Sequence, residues 1–413
     1  MSCWLGSFNA SGSFPFFFFW GACMLNRFRS ADFFFTLFFA LSLFSYYRGF
    51  NGGLQIWGEP YIWINYSDGL VKRGLVGTFF EYFFGSDSPD RRRIAALVLH
   101  WFCSVFLLFF VLLWGRRRIE DGGDGRYGVF YVTFALFVGG QFLPTLAYNT
   151  AYLDIYIYLL FALAVFSFSV GWFVLAFTLG LFAPLVHESA LFYWLTIFVL
   201  VAFSRGLNIS IIYAVLPVSI STVILLLFHS QSAAEGVVAS MPIPLDVKEG
   251  MLSAQFGQSI LSSFSVMLGV WRESFVSGIL GLLGFGLFAF LMVFFYCRCF
   301  LSTREALVLF ASVLAPASIL LFAWDLSRFV VSLQFVSVVS LLYVDSVFSP
   351  ALRRGVSEVL VLVLIVVALV GLSMPLVYAY FNGASVVDNG ILPLGRIGVG
   401  WLSHEFASYF NRG

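Results

Sequence analysis

From Ile155 to Val186 the chain runs thirty-two residues without one charged side chain, and no other stretch limits its possible folds so tightly. A helix crossing a bilayer needs about 20 apolar residues, so the run is too long for one pass and long enough for two short ones. It therefore has to fold back on itself, and the small residues between Ser167 and Gly171 offer the place for a turn. Both ends then emerge on one side, with Asp154 at one and His187-Glu188 at the other.

The remainder of the 413 residues has the same character, with 61% hydrophobic, 20% aromatic and only 10% charged positions. Such a composition predicts an all-α fold, a polytopic transmembrane helical bundle whose spans satisfy their own backbone hydrogen bonds. The formal charge of +1 provides no basic footprint for nucleic acid. Among 22 basic residues only Lys72 and Lys248 are lysine. Arginine keeps its charge in poorly hydrated surroundings and can grip a phosphate with two parallel hydrogen bonds.

Apolar runs at 31–47, 94–114, 127–147, 155–186 (the hairpin), 189–203, 209–228, 275–297, 306–323, 329–347 and 359–380 give about eleven spans. The short loops carrying Arg116 to Arg118, Arg126, Arg205, Arg298, Arg304, Arg353 and Arg354 belong inside, which puts the N-terminus inside and the C-terminus outside. Residues 1–30 form a cytoplasmic or interfacial N-terminus, in which Met24 is a second candidate start that would make Arg27 and Arg29 an anchor. Residues 31–380 are the transmembrane domain, with long outer loops at 48–93 and 229–274, and 381–413 is an extracytoplasmic interfacial tail. Leu75 to Phe84 and Met251 to Trp271 read as helices lying in the membrane surface. Arg91-Arg-Arg93 runs against this topology, since it places a basic cluster outside.

Eight ionisable residues fall together on the outer side although they come from four loops: Asp68, Lys72, Arg73, Asp154, His187, Glu188, Asp325 and Arg328. Each taken alone is explained as a helix end, and Asp325 with Arg328 can bridge within one helix. Asp68 and Lys72 share a face if their segment is helical. Their gathering is different, because ionisable groups facing lipid are costly and a set of them on one side argues for a shared, water-filled cavity. The five cysteines offer no extracytoplasmic pair, and Cys297-Arg-Cys299 lacks the second pair of ligands that a zinc site needs. No phosphate-binding loop, dinucleotide glycine pattern, nucleophile elbow or HExxH is present.

This layout resembles the GT-C glycosyltransferases, integral membrane enzymes with many spans, a long first outer loop bearing an essential acid, and further charged residues at later outer helix ends. Asp68 takes the first-loop position, Asp154 is similar to the acid of the next outer loop, and His187-Glu188 looks like the outer histidine/acid pairs of some members. The chain departs from the pattern in lacking paired acids in the first loop and a large soluble C-terminal domain. Asp-Gly-Leu-Val-Lys-Arg-Gly-Leu-Val-Gly, with a later His-Glu and Trp-Asp-x-x-Arg, is also similar to bacterial membrane proteins associated with surface polysaccharides.

The resemblance implies an enzyme of the bacterial inner membrane that takes a sugar from a polyprenyl-phosphate-linked donor and gives it to a lipid-linked or surface glycan acceptor. No metal or other cofactor is required. Asp68, Asp154 and Glu188 are then the catalytic candidates, and Lys72, Arg73, His187, Asp325 and Arg328 the substrate-binding ones. A Wzy-like polymerase of lipid-linked repeat units is a neighbouring alternative, and a flippase or other transporter a more distant one. Transport predicts ionisable or glycine-broken positions near the middle of spans, which are almost absent here.

Overall fold

The computed structural model describes residues 31–50, 52–67, 69–85, 88–120, 137–252, 302–314, 326–348, 376–380 and 383–387, with isolated positions at 133, 135, 316, 366 and 372. Among them the fold is helical apart from one short hairpin. In chain order the helices are α1 (Ala31–Arg48), α2 (Gly74–Phe84), α3 (Pro89–Glu120), α4 (Phe142–Tyr148), α5 (Asp154–Val170), α6 (Phe173–Val186) and α7 (Ala190–Arg205). There follow α8 (Leu207–Phe228), α9 (Gln231–Ser240), α10 (Leu245–Met251), α11 (Thr303–Leu314) and α12 (Leu326–Phe348).

The charge-free run is the α5–α6 hairpin, and its turn lies at Gly171. This glycine has φ +85°, and the next residue's N–H reaches back to the Ser167 carbonyl at 2.8 Å, so the left-handed residue closes α5 in a Schellman-type cap. Gly180 of α6 lets two neighbours come close: a Cβ there would lie 2.9 Å from the Pro217 ring and 3.1 Å from Trp194 Nε1. In α8, Pro217 cannot bond back to Tyr213 and would clash with its carbonyl. The helix opens into a π-turn at Ile211–Val215, just before this position, and the strain is absorbed there.

Successive helices alternate in direction, so their ends collect in two groups. At one end Arg116 lies over the Phe35 ring at 5.7 Å, Arg205 donates to the Ser169 carbonyl at 3.3 Å, and Arg304 donates to the Phe203 carbonyl at 3.5 Å. Ser204 meets the Tyr343 hydroxyl at 2.6 Å and Trp114 donates to Ser346 at 3.1 Å at this same arginine-bearing end. At the other end lie the chain between α1 and α3, residues 149–154, residues 187–189, and the α9–α10 segment. Between the two ends, Phe335 of α12 packs against Phe142 (4.9 Å), Tyr158 (5.2 Å), Phe161 (6.2 Å) and Phe137 (6.4 Å), an aromatic centre that ties α4, α5 and α12 together.

Helices α3 (over Pro89–Arg117) and α8 are each long and apolar enough to cross a membrane. Exposed Ile94, Val98, Phe102, Phe106 and Phe109 recur every three or four residues along one face of α3. Helices α5, α6 and α7 are shorter and also apolar.

Three features of the sequence reading need correction. Residues 69–73 are not helical, so Lys72 is not on a helix face, and Asp68 lies outside the described residues. The span expected at 127–147 is broken by a bend at Gly140-Gln141 before α4 begins. The last expected span, 359–380, ends instead in a strand: β1 (Leu376–Tyr380) pairs antiparallel with β2 (Gly383–Val387). The segments 1–30, 275–297 and 388–413, and Met251 to Trp271 beyond its first two residues, lie outside the described residues.

Candidate functional site

The loop end is held together by close contacts between segments distant in sequence. Gln55 donates its N–H to the Thr150 carbonyl at 3.1 Å, and Ser230 donates its N–H to the Leu70 carbonyl at 2.9 Å. The Tyr66 hydroxyl donates to the Leu185 carbonyl at 3.3 Å, and Arg93 donates to the Pro242 carbonyl at 3.1 Å. Gly77 lies against the backbone of Ile64, whose carbonyl oxygen would be 1.8 Å from any Cβ, so α2 can pack flat on the 63–65 segment only with glycine there.

Arg73 stands at the centre of this assembly as the residue preceding α2, in the left-handed region at φ 65° and ψ 15°. Its Nε donates to both Glu188 oxygens, at 2.9 and 3.1 Å, its Nη2 donates to Glu188 Oε1, and its Nη1 donates to the Tyr61 hydroxyl at 2.8 Å. The partners differ in access to water: the Arg73 side chain is 12% exposed and that of Glu188 41%. Tyr61 is buried, with Tyr152 at 5.9 Å and His187 at 6.5 Å between ring centres.

Burial pushes the Glu188 carboxyl upward, but the charge and hydrogen bonds of Arg73 outweigh it and hold the group well below the usual carboxylate range. His187 is 3.6 Å from Glu188, yet its Nδ1 accepts the Ser189 N–H at 3.0 Å. A nitrogen that accepts cannot also donate to a carboxylate, so in this arrangement the ring proton is on Nε2. Lys72 is half-buried beside His229, whose pKa is lowered by burial first and then by the lysine charge. Burial pushes the Tyr66 hydroxyl up to about 12, which keeps it a neutral donor.

Asp154 is 4% exposed at the first residue of α5. It lines a small recess, open at its mouth, with Thr145, Asn149, Tyr158, Phe142 and Val331. Arg328 lies three residues before Val331 in α12, which brings that helix end to the same recess, while its side chain, like Asp68 and Asp325, lies outside the described residues. The structure thus unites Arg73, His187 and Glu188, puts Lys72, next in the chain, beside His229, and buries Asp154 at the start of α5.

Tyr61, Tyr66 and Tyr152 were not foreseen, because in an aromatic-rich chain a tyrosine near a helix end carries no distinguishing signal. The basic cluster at 91–93 is also accounted for. Arg92 donates to Glu81 at 2.6 Å and to the Gly77 carbonyl at 2.9 Å, and Arg93 donates to Glu59 at 2.6 Å and to Asp90 at 3.2 Å, so both are consumed within the loop end. Among the described residues no three His, Cys, Asp or Glu side chains stand close enough to share a metal ion. No protein-family model matches the chain, and no curated protein or solved structure matches it either.

Proposed function

We propose that the chain is a multi-pass protein of the bacterial inner membrane that transfers a sugar from a polyprenyl-phosphate-linked donor to a lipid-linked or surface glycan acceptor, as the GT-C glycosyltransferases do. The membrane reading draws support from α3 and α8, in whose most apolar windows only 44% and 28% of residues are buried, too few for core helices of a water-soluble domain. With α1, α5, α6, α7, α11 and α12 alternating beside them, the end bearing Arg116, Arg205 and Arg304 faces the cytoplasm and the loop end faces outward.

The observation that carries the functional reading is the convergence at the loop end. Arg73, from the first long loop, is paired with Glu188, 115 residues away, around buried Tyr61. Ionisable groups drawn together at one face of an apolar bundle fit a site for a charged, lipid-anchored substrate. In the reaction the acceptor hydroxyl attacks the anomeric carbon and gives its proton to Asp68, while the bond from that carbon to the phosphate oxygen breaks. Lys72, Arg73 and Arg328 receive the departing phosphate, whose developing charge they stabilise. Asp154, Glu188 and the His187 Nε2–H orient sugar hydroxyls, and Asp325 supports Arg328.

Asp68→Asn tests this directly. It keeps the volume but cannot accept the proton, and turnover should fall by about 10² to 10⁴. The variant should accumulate in the membrane at wild-type level yet fail to restore surface glycan to a deletion strain. Full complementation would remove Asp68 as the base.

A further inference from the structure

We propose that the seat of the Glu188 carboxylate on Arg73 is a binding site for a phosphoryl oxyanion, occupied in this structure by the chain's own side chain. The proposal rests on the reading of the loop end as the substrate site and adds a specific exchange to it.

The edge of the guanidinium that Glu188 engages, Nε together with Nη2, presents two parallel donors, the pattern that also fits two oxygens of a phosphate. Arg73 cannot easily leave this position. Its backbone is fixed at the start of α2, its remaining terminal nitrogen is tied to Tyr61, and Tyr61 is itself 3% exposed. Glu188 can leave, since 41% of its side chain already meets water and rotation away from Arg73 completes its hydration. The mobile partner is therefore the anion, as an exchangeable site requires.

A comparison within the same end sharpens the assignment. The Arg92–Glu81 pair has similar chemistry, yet the Arg92 side chain is 1% exposed and lies over the Trp63 ring at 4.5 Å. That side chain is closed to solvent, whereas 12% of the Arg73 side chain and 41% of that of Glu188 stay open to it. Once displaced, Glu188 stands as a free carboxylate beside the bound phosphate, available to a sugar hydroxyl. Exchange of this kind couples carrier binding to assembly of the site.

The test uses the purified full chain in detergent, titrated calorimetrically with sodium pyrophosphate, farnesyl phosphate and micellar phosphatidylglycerol. Glu188→Gln removes the internal competitor, and binding of the oxyanion should tighten about ten-fold, since wild-type affinity is reduced by the fraction of time the seat is filled. Arg73→Lys should weaken it about ten-fold, because a point charge replaces the fork. Opposite signs from the two halves of one ion pair are the signature. A purely structural pair predicts that neither substitution tightens binding, and that result overturns the proposal. The ligand that shows the opposite signs names the source: farnesyl phosphate a prenyl carrier, pyrophosphate a soluble anion, phosphatidylglycerol a lipid headgroup. If Glu188→Gln does not fold, Glu188→Asp keeps the charge but shortens the reach, and a tightening of about three-fold is expected in its place, with no change counting against the exchange. Loss of activity in Asp68→Asn bears on the transfer reaction and leaves these titrations unaffected.

Discussion

Removing either partner of the Arg92–Glu81 pair should destabilise the protein, and the acid should matter more than the base. Arg92 is 1% exposed on its side chain and holds Glu81 at 2.6 Å, the Gly77 carbonyl at 2.9 Å and the Trp63 ring at 4.5 Å. Glu81→Ala strands a buried positive charge on one carbonyl and a ring, and breaking a buried pair in this way costs about 3 to 5 kcal/mol. Arg92→Met leaves Glu81 behind, but a third of that side chain is already in water, so the carboxylate rehydrates. What is lost then is the bond to Gly77 and the cation–π contact, together about 2 kcal/mol. The double variant should resemble Arg92→Met alone, since the charge that Glu81→Ala strands is no longer present, and the coupling should then equal the Glu81→Ala loss, about 3 to 5 kcal/mol. Chemical unfolding of the purified protein in detergent, followed by tryptophan emission, measures all four species. Additive single effects, or a Glu81→Ala loss under about 1 kcal/mol, would refute the account.

Three further outcomes follow. With the five native cysteines replaced, cysteines at Ser67 and Ser232, both exposed at the loop end, should react with an impermeant thiol reagent in intact cells, while one at Asn208, exposed at the arginine end, should react only after permeabilisation; Ser189 is 3% exposed and would report poorly. Gly171→Ala should cost about 1 kcal/mol through backbone strain alone, because a Cβ there meets nothing within 4 Å, so a loss beyond about 2 kcal/mol in a thermal melt would speak against a simple left-handed cap. The folded-state pKa of Glu188 lies below its unfolded value, so its contribution is present above the ordinary carboxylate range and is lost only as pH falls through the depressed value. The stability gap between wild type and Glu188→Gln should therefore stay level from pH 8 to about pH 5, and a gap that closes between pH 6 and 5 would contradict the pairing.

The helices were legible where an apolar run had clear ends. The thirty-two uncharged residues force a hairpin whatever their order, and Gly171 was the one residue in the turn region able to hold φ +85° without strain. Apolarity alone could not divide helix from strand at 376–380, where Leu-Val-Tyr-Ala-Tyr suits either, nor find α9 and α10, whose sequences carry no strong period. Within the site, the gathering of Arg73, His187 and Glu188 at one end was legible from span counting. Their pairing was not, because partners 115 residues apart leave no local pattern.

The non-glycine residues held in the left-handed region are Arg73 at φ 65° and Ala151 at φ 76°, and both belong to the layer around Tyr61 among the described residues. Each costs about 1 to 2 kcal/mol, so the surroundings must impose it. For Arg73 the constraints are Gly77 seated on the Ile64 carbonyl behind it and the Glu188 and Tyr61 bonds in front. For Ala151 they are Gly58, where any Cβ would lie 2.9 Å from the Thr150 oxygen and 3.0 Å from the Tyr152 nitrogen, and the Gln55 bond to the same carbonyl. Tyr61 lies between these two bends, bonded to Arg73 on one side and packed on Tyr152 on the other. Relaxing either bend would move a tyrosine or the guanidinium away from His187 and Glu188. Backbone strain at this end thus keeps a cation, a carboxylate and an imidazole in one place.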